Sequence, residues 1–494
     1  MPAEFFSSIS DQKTPPTYYF YNGKDWIPSI SGKTIEIHSP IDGSLVGSLQ
    51  SVTTDEIDDV MQKAKKAQPA WEKVPLYQRV KIMHLAADWI RQFEEYLAGV
   101  MAMEIGKSIG EAKSEIKRTG ELIDYYADEV QSIRGQTLDS DNFPGFDKGR
   151  IALIQRVAFG VVLAIPPFNY PVNLAASKIA PALLMGNSVV MKTPTQGGIS
   201  GIHLARIFQK AGVPEVVFSC VTGQGSEIGD YMVGHKSVDM VAFTGSSDTG
   251  EAIAGKAGMT PLLFECGGNN PAIVLPDADM KLTAKELIKG SFSYSGQRCT
   301  AIKYVMASQG VIDQLLPIVT AMMGELVKMG DPRSPETKMV GPVISEHAAE
   351  DIEISIKQSI ERGAKVVMGG KRDHAFIEPT ILSDVKASMP VVAKEIFGPV
   401  LSFIAIDNME EITKTVNESR FGLQACVFTK DEGTGLVYAQ GLNVGTIQIN
   451  GSPQRGPDHF PFLGVKSSGV GVQGVRYSLE AVSRLKPIVI NKPQ

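Results

Sequence analysis

Hydrophobic and polar positions change their rhythm along this chain. From residue 53 to residue 133, apolar residues return every three or four positions, the spacing of amphipathic helices. Helices are predicted over Thr54–Trp71, opened by the capping-type Thr53 and Thr54, over Leu76–Met103, and over Lys113–Glu129. From about residue 150, runs rich in Val and Ile alternate with helical stretches. The strands are Gly160–Ile165, Ser188–Met191, Val216–Val221 and Met240–Thr244. The helices between and after them are Val172–Met185, Gly198–Ala211, Ser226–Val233 and Ser247–Gly255. That alternation predicts a parallel sheet covered by helices on both faces. A second α/β series runs from about 265 to 466, with helices Leu282–Ser293 and Ala348–Arg362 and strands Ala301–Ala307, Lys365–Gly369 and Pro399–Ile406. Phe146–Val157 and Ala481–Ile490 fit neither series. They read as exposed strands with no helix to cover them, free to pair with another subunit.

Length and composition narrow the class. A chain of 494 residues exceeds one ordinary core, so two or more domains are expected. Apolar content of 43% and charged content of 21% belong to soluble globular proteins. A net charge of -6 argues against nucleic-acid or anionic-membrane partners. Cys220, Cys266, Cys299 and Cys426 show no CxxC spacing, so neither a zinc site nor a disulfide framework is suggested. A reducing, cytosolic setting is expected. Met1–Pro15 has no basic or apolar leader pattern, and the longest apolar run, Val157–Ile165, is too short to span a bilayer.

Candidate chemistry gathers where predicted strands end, the place at which open parallel sheets bind ligands. In Ala164–Pro171 (AIPPFNYP), Asn169 is either an amide donor to a developing oxyanion or a turn residue and cap. Lys192, in VVMKTPT, is a cation suited to ribose or phosphate, or a solvated lysine. Phe243–Gly250 (FTGSSDTG) is a strand, a Gly turn and a helix start, able to set a phosphate on backbone N–H groups, and the loop Gly223–Gly229 is a companion. Glu265, in FECGGNN, follows an apolar strand; it is a general base or a salt-bridged carboxylate. In KEIFGP, Glu395 can accept from sugar hydroxyls and Phe397 can pack on a planar ring. In Tyr294–Thr300 (YSGQRCT), Cys299 sits on a helix-to-strand loop beside Arg298, whose charge favours thiolate.

Taken together and in this order, PFNYP, KTPT, FTGS, ECGG, GQRCT and EIFGP resemble the aldehyde dehydrogenase superfamily, from about residue 20 to the end. The resemblance implies an α/β fold: a Rossmann-like cofactor domain over 1–133 and 153–264, an α/β catalytic domain over 265–466, and a small β oligomerisation arm over 134–152 and 478–494. It implies Cys299 as nucleophile, Asn169 as oxyanion donor and Glu265 as the base that activates water. The cofactor set it implies is Ile165, Pro166, Lys192, Thr195, Gly225, Asp230, Thr244, Gly245, Ser246, Gly250, Glu395 and Phe397. NAD-preferring relatives often carry Glu where Thr195 stands; without that charge, NADP is the expected cofactor.

Arg118, Tyr170, Arg298 and Arg455 match the phosphate-binding set of the NADP-dependent non-phosphorylating glyceraldehyde-3-phosphate dehydrogenases. With Asn169, Cys299 and Thr300 they form the implied substrate site. Arginine suits a phosphate because it presents a planar fork of donors. The expected reaction is irreversible oxidation of glyceraldehyde 3-phosphate to 3-phosphoglycerate, in a cytoplasmic homotetramer built from dimers. The alternatives are an aldehyde dehydrogenase for another anionic aldehyde, such as a semialdehyde, and a non-catalytic protein on this fold. Cys266 and Asn269 depart from that group, which usually has Leu and Lys there. Cys266 is either a small buried hydrophobe or a redox partner of Cys299, and Asn269 removes a charge near the active site.

Overall fold

A computed structural model describes residues 2–133, 135–145 and 149–491. Residues 146–148, part of one expected arm strand, and the terminal 492–494 lie outside the described residues, as do 1 and 134.

An eight-stranded sheet forms the first half. Its parallel centre runs, in spatial order, Leu262–Glu265, Met240–Thr244, Val161–Ile165, Ser188–Lys192 and Phe218–Val221. Short antiparallel strands flank it: Gly469–Val470 on one edge, Phe20–Tyr21 and Trp26–Ile27 on the other. Alternate residues enter different cores. Val162 and Ala164 pack with Ile90, Leu97 and Ile116 of the N-terminal helices, while Val161 and Leu163 pack with Val60 and Met61. Both faces are therefore covered, which explains strands that are apolar at successive positions rather than alternating. The strand order reverses beside Val161–Ile165, between Ser188–Lys192 and Met240–Thr244, and a crevice opens at such a point.

The second sheet has seven strands, ordered Lys365–Met368, Thr380–Ser383, Val400–Ala405, Ile302–Ala307, Asn270–Val274, Gln424–Phe428 and Thr446–Ile449. Only Lys365–Met368 runs antiparallel to its neighbour. A third sheet, antiparallel, joins Gln136–Asp139, Arg150–Ala158 and Ser483–Asn491.

Several expectations are adjusted. The helix expected over Leu76–Met103 is two, Leu76–Gln92 and Glu94–Ile105, because Phe93 leaves helical geometry at φ -100°. The arm strand runs on to Ala158, past the expected boundary at 152, and the turn comes at Gly160 (φ +142°). At its other end the arm begins at Ser483, because 475–481 forms a helix whose Val475 and Leu479 enter the first domain's core.

Candidate active site

Ile165, Lys192, Thr244 and Glu265 each end a strand of the first sheet. Residues that lead into strands of the second sheet face them: Gly267, Cys299, Glu395, Phe397 and Phe421. Between the two sets lies a cavity of about 740 Å³, a size that suits a cofactor or a drug-sized ligand. Asn169, Thr244, Gly245, Ser246, Cys299, Glu395 and Phe397, all expected from sequence, line it.

The loop carrying Cys299 is held from several sides. Tyr294 (φ 49°) and Ser295 (φ 54°) adopt left-handed backbone without being glycine, a strain that surrounding contacts must offset. Glu111 accepts from the Tyr294 N–H at 2.7 Å, and Ser295 Oγ donates to the Gly341 carbonyl at 2.9 Å. Asn270 Nδ2 donates to the carbonyls of Cys299 and Ala301, both at 2.8 Å. Gly268 must lack a side chain, since a Cβ there would lie 2.2 Å from the Cys299 carbonyl oxygen.

The Cys299 thiol donates to Glu265 Oε1 at 3.5 Å. Burial, and then the negative charges of Glu265 and Glu395, push this thiol well above its ordinary range. Arg455, Lys178 and Lys303 are the nearby cations acting on it, so the sequence-based view of Arg298 as the thiolate's neighbour is corrected. Arg298 Nη2 donates to the Gly290 carbonyl at 2.8 Å, and its buried Nε has no partner among the described residues. Asn169, nearly buried, donates one amide N–H to the Gln297 carbonyl at 2.8 Å. The amide's second N–H is left for another acceptor.

Arg455 sets Nη1 on Glu265 Oε2 at 2.5 Å and Nη2 on Gln473 Oε1 at 2.8 Å. Arg118 is committed elsewhere. It pairs with Asp458 through Nε and Nη2, at 3.0 and 2.6 Å, and also donates to the Arg455 carbonyl. It thus braces the loop that carries Arg455 rather than presenting a free fork. Tyr170 packs under the Lys107 ammonium, 3.5 Å from ring centre to Nζ, and edge-on to Tyr294. Thr300 is buried beside Cys299.

The remaining cofactor candidates lie along the first sheet. Burial draws Lys192 down to about 8. Thr195 is half-buried, and Gly225 opens the helix Gly225–Val233. Ile165 and Pro166 begin the loop that carries Asn169. Asp230 is exposed and faces Lys256 at 3.6 Å. Gly250 acts indirectly, since a Cβ there would lie 2.6 Å from Cys266 Sγ. Cys266 lines the cavity, and burial, reinforced by Glu265, raises its thiol to about 12. Asn269 turns aside, donating to the Val392 carbonyl at 2.5 Å.

Sequence reasoning missed Lys178. Its Nζ donates to Thr244 Oγ1 at 2.6 Å, and burial draws it down to about 7. The signal was present: it is the one charged residue in the helix Asn173–Leu184. Ser247 was also missed; it lines the cavity with a buried hydroxyl that has no partner among the described residues.

The family model for the aldehyde dehydrogenase family matches residues 26–488, and the chain belongs to that family. Among its relatives, the NADP-dependent glyceraldehyde-3-phosphate dehydrogenase of Pisum sativum is 43% identical over 478 residues, 96% of each chain. The enzyme of the same name from Streptococcus equinus is 43% identical over 96% of this chain and 98% of its own. The crystal structure of NADP-dependent glyceraldehyde-3-phosphate dehydrogenase from Bacillus halodurans, complexed with NADP, superposes with a TM-score of 0.94 at 44% identity, over 96% of this chain and 99% of that one.

Proposed function

We propose that this chain oxidises glyceraldehyde 3-phosphate to 3-phosphoglycerate, with NADP as oxidant and water as acyl acceptor. The observation that carries the reading is the line Cys299–Glu265–Arg455: a nucleophile, a base and a phosphate-binding cation in direct succession.

The cavity fits the cofactor. Ser246 caps the helix Ser247–Ala257 at the reversal point, and such an N-terminus favours a phosphate. The unpartnered Ser247 hydroxyl supplies a further donor. Lys192 bears a burial cost that an anion offsets, and Thr195 adds no charge to repel a 2′-phosphate. Glu395 and Phe397 would hold the ribose and the ring. NADP, when bound, accepts the hydride.

The side chains perform the rest. Cys299 gives its proton toward Glu265 and attacks the aldehyde carbon. The free Asn169 N–H and the Cys299 backbone N–H hold the oxyanion. After oxidation Cys299 carries a thioester, and Glu265 takes a proton from the water that cleaves it. Arg298 and Arg455 receive the phosphate, with Tyr170 beside them and Arg118 bracing the Arg455 loop. Turnover in H2(18)O tests the hydrolytic step. At least one labelled oxygen is expected in the 3-phosphoglycerate carboxylate, since the free aldehyde also exchanges its oxygen with water; an acyl phosphate product would refute it.

The working form we propose is a cytoplasmic tetramer joined through the arm. The apolar outer face of Ser483–Asn491, including Leu485 and Val489, supports this, as do four free thiols. No helix among the described residues is long and apolar enough to cross a membrane.

A further inference from the structure

We propose that the substrate's own phosphate switches Glu265 on as a base, by drawing Arg455 away from it. The proposal rests on the phosphate-binding role given to Arg455 above.

Glu265 is engaged at both oxygens. One carboxylate oxygen accepts from Cys299 and the other binds Arg455 at 2.5 Å. The carboxylate is 2% exposed and the guanidinium side chain 11%, so little water screens the pair. With both oxygens occupied, the carboxylate presents none to an incoming water. In this proposal the hydrolytic water meets Oε2, the oxygen that Arg455 covers.

The surroundings allow the side chain to turn while its backbone stays. Arg118, locked on Asp458, holds the Arg455 carbonyl. The second guanidinium arm donates to the neutral amide oxygen of Gln473 at 2.8 Å, and the Phe462 ring centre lies 5.3 Å from the guanidinium carbon. A phosphate dianion outbids both partners: it carries more charge than a carboxylate and has three oxygens to match the fork. Once Arg455 turns to it, Glu265 Oε2 is uncovered and faces water. In the step so enabled, water's O–H bond breaks, its oxygen bonds to the acyl carbon and the C–S bond breaks. The proton passes through Glu265 to the departing sulfur, restoring the thiol. An aldehyde without phosphate reaches the thioester but leaves the base covered, so phosphate recognition acts on hydrolysis as well as on binding.

Phosphite dianion supplies the missing phosphate in pieces. The enzyme is mixed with NADP and D-glyceraldehyde, and stopped-flow absorbance separates the first turnover from steady hydrolysis, with the Cys299 acyl adduct followed by mass spectrometry. Freeing one charge-assisted hydrogen bond predicts that phosphite raises the hydrolysis rate about tenfold or more and depletes the adduct. Hydrolysis unchanged by phosphite overturns the switch. Arg455→Met supplies the second arm, with NADP binding as the check on folding. Its glyceryl-enzyme should hydrolyse faster than wild type without phosphite and no longer respond to it; a folded variant with unchanged hydrolysis also overturns the proposal. If glyceraldehyde 3-phosphate is itself turned over no better than glyceraldehyde, the phosphate-binding reading of Arg455 fails as well.

Discussion

Cys299 meets two opposing demands: it must ionise to attack, yet it is buried between Glu265 and Glu395. Both carboxylates disfavour the thiolate, so the free enzyme should be alkylated by iodoacetamide with a pH midpoint above that of an ordinary thiol. Glu265→Gln removes one negative charge and one acceptor, each of which raises the thiol, so the midpoint should move down. An unchanged or higher midpoint would contradict this account of the site. At the adenine end the residue to change is Thr195. Thr195→Glu should weaken NADP more than NAD, measured as the ratio of the two dissociation constants; an unaltered ratio would rule out the 2′-phosphate argument. Much of this site was legible in the chain, because Asn169, Glu265 and Cys299 each stand next to a Gly- or Pro-marked break that follows or precedes a strand. What could not be read was partnership. Arg455 and Glu265 are 190 positions apart in sequence. Arg298 looked like the cation of Cys299 only because it is next in the chain.

At the scale of elements, the oxyanion loop is held by a helix remote from it in sequence. Glu115, on the helix Ile109–Glu129, accepts from the Val172 and Asn173 N–H groups at 3.1 and 3.0 Å, at the start of the helix Asn173–Leu184. It also pairs with Lys107, which donates to the Asn169 carbonyl at 2.9 Å. Both side chains are fully buried. Removing one member of such a pair leaves a buried charge uncompensated, so Glu115→Ala should cost about 3–5 kcal/mol in stability. It should also lower kcat, because Asn169 loses its support. Thermal unfolding together with steady-state kinetics checks both; a stable variant of normal kcat would deny the link. The alternation of Val- and Ile-rich runs with helical spacing announced the first sheet, since each period is local. The break at Phe93 and the role of Glu115 were hidden, because each depends on which neighbour packs against the helix.

Across the whole molecule, the first sheet ends its strands toward loops that enter the second, and the arm is a single three-stranded sheet that joins Gln136–Asp139, Arg150–Ala158 and Ser483–Asn491. The Ser483–Asn491 strand is paired on one side only and exposes Leu485, Ile488, Val489 and Ile490. An uncovered edge of this kind invites a partner strand. Leu485→Lys with Val489→Lys should reduce the assembly's mass in sedimentation; an unchanged mass would place the interface elsewhere. The body itself is built to bring one thiol, one carboxylate and one arginine to the end of a dinucleotide-sized cleft, and the central claim is that they act on a phosphorylated aldehyde. The most direct measurement follows NADPH absorbance with NADP and glyceraldehyde 3-phosphate in buffer free of inorganic phosphate. The account predicts sustained NADPH formation; no signal, with good turnover of a semialdehyde, would contradict it.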